Sequence, residues 1–411
     1  MSVAPHCAVI GAGIIGLSCA RAILREGHSV TVIDRDPAGD KASFGNAGGI
    51  GITEILPAAA PGVIWQVPKW LADPLGPLSL RPAHLPSLMP WLVRFLRTGT
   101  KTEVARIAAV MAGLLAPVYD DMLPLLDELA LSADLHRVGA LWIYDTEAGF
   151  ERDAPAHALR RQHGIAVETI SAAEAHRLEP ALTQTTARAV VTPQWSHVSD
   201  PKRIVDRLRD ILVAQGVAMR ALDVTGIDGQ VVVTAQGARI AFDHLIVAAG
   251  AWSGRIARLI GDPVLIESER GYNATLPSPG VTLSREVIFA QRQFVATPLA
   301  IGLRIGGAAE FAGLNAKPDY RRSDALVTLA RRYLPDLDTR GALRWMGDRP
   351  TTPDSLPVIG RSPRRSDVVY AIGHGHVGLT LGPTTGRLVA DIVTGRTAPL
   401  DLSPFSIARF A

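Results

Sequence analysis

The first residues in this sequence with chemistry in their spacing are three glycines and an aspartate. Gly11, Gly13 and Gly16 form GxGxxG within VIGAGIIG, and Asp34 stands 18 residues beyond the last glycine. A loop of this kind suits a pyrophosphate. Its first glycine permits a tight turn, the second lets the phosphates approach the backbone, and the third lets the next helix pack closely. The free N–H groups and positive dipole end of that helix then face the phosphates. Asp34 would hold a ribose hydroxyl and repel a phosphate at that ribose. The pattern points to a dinucleotide and leaves NAD and FAD both open. Two other groups offer less. His374 and His376 lie two apart on a loop with no cysteine or carboxylate cluster beside them, which disfavours a metal. Cys7 and Cys19 occupy apolar positions in the first βα unit and read as reduced core residues, outside any disulfide framework.

The elements that must position this loop are legible around it. Residues 7–10 form a short apolar run expected as a buried parallel strand, a helix is expected over 14–26 with Gly27 as its left-handed stop, and 30–33 is a second strand. The small-residue loop ASFGNAGGI at 42–50 lets backbone pass close to something flat or charged. Residues 102–130 read as helical pieces interrupted by Pro117 and Pro124, and VGALWIYD at 138–145 as a strand. Asp200 caps a helix with Pro201 at its first position and Ile204, Val205, Leu208, Ile211 and Leu212 on its apolar face. Strands are expected at 230–235 and 238–249, the second ending in LIVAAGAW, and 263–345 alternates in the manner of an antiparallel sheet. A strand at 368–372, a glycine-rich loop at 373–382 and a helix from Pro383 to Thr394 close the chain. The expected fold is α/β, a Rossmann-like dinucleotide domain discontinuous in sequence (1–55, 146–262 and 346–411) with an antiparallel-sheet substrate domain (56–145 and 263–345).

At 411 residues the chain exceeds one ordinary core. A hydrophobic fraction of 47% with 20% charged residues fits a packed globular protein, and the net charge of +3, scattered along the chain, gives nucleic-acid binding no support. No charged leader precedes the first strand and no window holds 18 consecutive apolar residues, so neither a secretory signal nor a membrane span is expected, and a cytoplasmic location is. Two stretches leave peripheral membrane contact open beside a role in covering the core. They are 56–71 with Trp65 and Trp70, and 85–96 with Met89, Trp91 and Arg94.

GAGIIG with Asp34, AAGAWS at 248–253, GDRPTTPDSLPVIG at 347–360 and GHGHVGLTLGPTTG at 373–386, in that order, resemble the FAD-dependent amino-acid oxidase and dehydrogenase family. That family includes D-amino-acid oxidase, glycine oxidase, sarcosine oxidase and bacterial D-amino-acid dehydrogenase, and SFGNAGG with ERGYN at 269–273 leans toward the D-amino-acid and D-hydroxyproline dehydrogenase branch. The resemblance implies FAD. It carries cofactor contacts onto Gly11, Gly13, Ile14, Ile15, Gly16, Asp34 and Arg35, onto Ser43, Asn46, Ala47 and Gly48, and onto Val224, Ala249, Gly250, Trp252 and Gly373. It also sets Gly378, Leu379 and Thr380 against the flavin N1–C2=O edge, where charge develops as the ring accepts a hydride.

On the substrate side the resemblance makes Arg349, in the D-R-P turn, the grip on an amino-acid carboxylate, a task that suits a planar, permanently charged fork. Tyr272, in GYN, resembles the pocket tyrosine of the relatives, with a buried structural tyrosine as the alternative. His376 stands where glycine oxidase presents an arginine, either lining the pocket with a pH-dependent charge or packing beneath the flavin. The reaction implied is hydride transfer from the Cα of a D-, cyclic or N-substituted amino acid to flavin N5. The electrons pass on to a quinone, a partner flavoprotein or oxygen.

Overall fold

The computed structural model describes residues 4–183 and 186–411. Its first layer is a six-stranded sheet in the order Ala218–Ala221, Ser29–Asp34, His6–Ile10, His244–Val247, Val368–Ile372, Val358–Arg361, parallel except for the last pairing. The central strands are apolar and buried apart from an opening histidine in two of them, as burial on both faces requires. Against them packs Ile14–Arg25, and against that helix lies the last long one, Gly378–Thr394. Glycine sets how closely these two helices approach. A Cβ at Gly386 would stand 2.4 Å from the Ser18 carbonyl oxygen, and one at Gly382 would stand 2.9 Å from Ile14 Cγ1.

The start of that last helix corrects the sequence expectation. Pro383 was read as the first helical residue, but the helix begins at Gly378 and carries the proline inside. Pro383 lacks the N–H that would bond the Leu379 carbonyl, a loss the helix tolerates one turn from its end. The helix's free N–H groups therefore lie at 378–380. The helix Pro201–Ala214 is as expected, with Asp200 Oδ1 accepting from the Lys202 and Arg203 N–H groups. The expected strand at 238–249 is two, Arg239–Ala241 in a small antiparallel sheet and His244–Val247 in the main one.

The second layer is a nine-stranded, mostly antiparallel sheet. Its order is Leu343–Thr351, Glu267–Leu276, Gly302–Phe311, Phe294–Leu299, Glu286–Phe289, Ala140–Tyr144, Arg188–Thr192, Glu168–Ser171, with Leu78–Leu80 beside Gly302–Phe311. Two strands inside 146–262, grouped above with the nucleotide domain, belong to this sheet, because Arg188–Thr192 pairs along the whole of Ala140–Tyr144. The helices Lys101–Leu115 and Val118–Glu128, grouped with the substrate domain, instead bury Met111, Leu114, Met122 and Leu125 in the same core as Leu17 and Leu388. Arg21 to Glu128 at 2.5 Å and Arg387 to Asp121 at 2.7 Å tie them there. Their combined stretch, Lys101–Glu128, is long and apolar enough to span a bilayer by composition. A turn at 116–117 breaks it, and its apolar face is covered by the core.

Candidate active site

One cavity of about 980 Å³ runs between the two layers. At one end lies the glycine loop. Gly11 has φ +115°, and a Cβ there would sit 2.3 Å from the Ala248 carbonyl oxygen, so the turn admits glycine alone. Gly13 behaves differently. Its nearest neighbour to an added Cβ is Ser43 Oγ at 3.6 Å, so its backbone opens onto free space. Gly16 does not line the cavity. A Cβ there would meet the Gly11 carbonyl oxygen at 1.9 Å, so it acts by letting the helix start touch the loop. Asp34 accepts from the Ala12 N–H at 2.8 Å and the Asp36 N–H at 2.9 Å, which aims its carboxylate across the loop. Arg35 lies 3.9 Å over the Trp252 ring, and both line this end with Val224, Ala249 and Gly250.

The 42–50 loop crosses the large sheet strand by strand, and the sheet holds it. Asn273 Nδ2 donates to the Gly45 carbonyl at 2.8 Å, and Arg304 Nη1 to the carbonyls of Asn46 at 2.7 Å and Phe44 at 3.2 Å. Ser43 Oγ accepts from the Ile14 N–H at 3.2 Å, and Thr380 Oγ1 from the Gly51 N–H at 3.1 Å. Ser43, Asn46 and Ala47 line the cavity, as do Ile14, Ile15 and Gly373. Gly48 turns away, toward Leu299 and Val198. Neither Arg304 nor Asn273 was recognised as a loop clamp from sequence. A lone arginine inside the apolar strand GLRIGG is the signal for the first, since a buried guanidinium demands acceptors.

Gly378, Leu379 and Thr380 border the same cavity at the helix start, where no side chain caps the free N–H groups. Both the open backbone at Gly13 and this uncapped helix end suit FAD, with its pyrophosphate at the first and its flavin N1–C2=O edge at the second.

Of the substrate-side residues, Arg349 lies in the wall. Its Nη1 donates to Glu269 Oε1 at 2.7 Å, while Nη2 has only the Gly307 carbonyl at 3.4 Å. One edge of the fork is thus weakly engaged. His376 is the most open of the set, with Nε2 at 3.7 Å from Glu54 Oε2. His374 is buried against Thr385 Oγ1 at 2.9 Å, and burial pushes its pKa down to about 3. Tyr272 departs from the expectation of a pocket hydroxyl. Its ring edges the cavity, but its hydroxyl donates to Glu310 at 2.5 Å and accepts from the Asp319 N–H at 3.0 Å. The cause is a charge network, in which Arg270 and Arg81 hold Glu310 in place and its Oε2 accepts from the phenol.

The wall also holds residues that the motifs did not disclose: Glu54, Trp142, Asp153, Trp195 and Glu286. Glu286 is 2% exposed, with Trp195 Nε1 donating to one oxygen at 2.9 Å, and burial, reinforced by Glu54, pushes its carboxyl up to about 8 from 4.5. A raised folded pKa stabilises fully below the unfolded value and is lost as pH rises through about 8. Measured against wild type, Glu286→Gln should therefore gain in Tm as pH rises from about 4.5 to about 8, with the smallest difference below pH 4.5 and the largest above pH 8. A gap independent of pH in thermal scans would remove the charge argument.

The whole chain has relatives. The family described as DAO, FAD dependent oxidoreductase, matches residues 6–392. A "D-amino-acid oxidase" of Bradyrhizobium diazoefficiens is 35% identical over 418 residues, covering 98% of this chain and 99% of the relative. A "D-amino acid dehydrogenase" of Sinorhizobium medicae is 31% identical over 414 residues, covering 98% and 99%. Among solved structures, glycine oxidase from Geobacillus kaustophilus superposes with a TM-score of 0.78 at 22% identity over 99% of this chain and all of that one. L-proline dehydrogenase from P. horikoshii gives 0.75 at 19% over 100% and 98%. These two show the shared fold. The chain belongs to the DAO family of FAD-dependent oxidoreductases, and FAD is its cofactor.

Proposed function

We propose that this enzyme oxidises D-amino acids, or cyclic or N-substituted ones, at the amine-bearing Cα, releasing an imino acid that hydrolyses to a keto acid. The observation that carries the reading is the position of Arg349. It lines the cavity that the 42–50 loop and the helix start at Gly378 also border, and one edge of its fork is weakly engaged. FAD, when bound, supplies the two-electron acceptor for the hydride that leaves Cα. The protein's part is orientation. Arg349 holds the carboxylate in two-point contact, and the N–H groups at 378–380 offset negative charge. Mixing the holoenzyme anaerobically with paired D and L substrates tests this. Bleaching of the flavin by the D-enantiomer is expected, and bleaching by L alone would reverse the stereochemical assignment.

The names of the relatives include both oxidase and dehydrogenase, so the acceptor is a separate proposal. We favour a quinone or partner flavoprotein reached at the inner face of a membrane. Supporting it is an exposed apolar surface on 56–101. Trp65 is 85% exposed, and Ile64, Leu71, Leu85, Met89, Val93 and Leu96 are exposed with it, flanked by exposed Lys69, Arg97 and Lys101. Trp91 is instead buried, donating to the Thr351 carbonyl at 2.9 Å. Apolar groups among basic ones suit an anionic bilayer. The holoenzyme should sediment with phosphatidylglycerol vesicles, release at high salt, and bind less after Trp65→Ser. Equal binding to neutral vesicles, or faster turnover with oxygen than with a dye, would count against it.

A further inference from the structure

One group of residues lining the cavity stands apart in character from the backbone-rich loops around it. Three carboxyl side chains, Glu54, Asp153 and Glu286, line the cavity together with the indoles of Trp142 and Trp195. The two indoles meet edge to face, with centroids 6.4 Å apart at 87°. The cluster abuts the end of the 42–50 loop. A Cβ at Gly49 would stand 2.5 Å from Glu286 Oε2, and one at Gly51 would stand 3.0 Å from both Glu54 Cγ and the Trp195 ring.

The acids are incompletely partnered. Glu54 Oε1 is buried and accepts no hydrogen bond, its nearest cation being Arg160 Nη2 at 3.7 Å. Arg160 itself stands behind the wall, 4.8 Å from the Trp142 ring and donating to the Thr53 carbonyl. Among the described residues, Asp153 accepts only from the Tyr144 hydroxyl, at 3.2 Å. Glu286, almost wholly buried, receives one N–H from Trp195, and its second oxygen has no partner among the described residues. Three carboxyls thus face one buried arginine, with the exposed His376 beside Glu54 and the exposed Arg152 acting on Asp153. Burying a carboxyl without a donor is costly, and the unpartnered oxygen of Glu286, a residue that lines the cavity, leaves room for a donor from a ligand.

We propose that this acidic, indole-walled end of the cavity is a side-chain subsite for a cationic group, an ammonium or guanidinium, on the amino-acid substrate. Glu286 and Glu54 would accept its N–H groups, and the Trp142 and Trp195 rings would pack its charge and methylenes. The proposal rests on the amino-acid oxidation reading above, and it names the class of side chain that the site selects.

Two measurements separate the proposal from that reading. In the first, the holoenzyme is titrated with n-butylguanidinium and with n-butylurea, its neutral near-isostere, following the visible flavin spectrum or heat. Neither probe can be oxidised as an amino acid, so occupancy is read without turnover. The guanidinium should bind about 10-fold or more tightly, and Glu286→Gln or Glu54→Gln, with FAD content confirmed, should erase most of that preference. Equal binding of the two probes, or a preference that both variants keep, overturns the subsite whatever the enzyme oxidises. In the second, kcat/KM is compared for D-arginine against D-citrulline and for D-lysine against D-norleucine. The cationic member should win each pair, and its advantage should shrink about 10-fold or more in Glu286→Gln. A wild type that prefers the neutral members overturns the subsite while leaving amino-acid oxidation standing. Flavin that no amino acid bleaches, beside intact guanidinium selectivity, places the failure in the oxidation reading.

Discussion

Arg349→Ala should keep its yellow colour and its fold and lose most of its kcat/KM toward amino acids. The guanidinium is partly exposed and bonded to Glu269, so the wild type must redirect one edge of the fork to a substrate carboxylate while the other edge keeps its partner. Removing one member of a desolvated charge pair typically costs about 2–5 kcal/mol, or about 30-fold to several-thousand-fold in rate or affinity. Arg349→Lys should recover only part, because an ammonium keeps the charge without the planar fork. Steady-state kinetics with a dye acceptor, beside the FAD absorbance per protein, reads both halves. Near-normal substrate affinity in Arg349→Ala would remove Arg349 from the role. Arg304 would not replace it, since it does not line the cavity and its Nε and Nη1 are held by Thr275 and the carbonyls of Phe44 and Asn46.

A comparable effect on the cofactor is expected at Gly13. Its φ is −77°, a conformation open to any residue, and an added Cβ meets nothing nearer than 3.6 Å. Gly13→Val should therefore fold, yet emerge colourless, because the side chain fills the space where the pyrophosphate approaches the backbone. Gly11→Val makes the contrast. A positive φ and a 2.3 Å approach to the Ala248 carbonyl oxygen would distort the turn itself, so soluble yield should fall together with colour. Circular dichroism separates the two outcomes, and a yellow Gly13→Val protein would contradict the placement of FAD.

What could be read without coordinates follows from how local the governing physics is. GxGxxG, Asp34 and the capped helix at Pro201 are set by neighbours a few residues away, and each stands where its spacing implied. The start of the last helix was misread because proline usually marks a first turn, and nothing local shows that a helix will carry Pro383 inside. The division of 146–262 among four sheets depends largely on pairing between strands distant in sequence, which no single strand's pattern encodes. Tyr272 illustrates the same limit at the site. Its ring position was legible from GYN, but the direction of its hydroxyl is decided by Glu310, 38 residues away on the neighbouring strand. Glu286 could have been noticed as a lone acid in the apolar strand EVIF, although its neighbour Trp195 lies 91 residues earlier.

The central claim, that this cavity brings an amino-acid Cα to FAD with Arg349 fixing its carboxylate, is tested most directly by anaerobic stopped-flow reduction of the holoenzyme with a D-amino acid carrying either hydrogen or deuterium at Cα. The account predicts that the flavin bleaches, that the deuterated substrate bleaches it more slowly, and that Arg349→Ala slows bleaching by both while its bound FAD is unchanged. Flavin that stays oxidised with every amino acid offered, or that is reduced equally fast by Arg349→Ala, would contradict it.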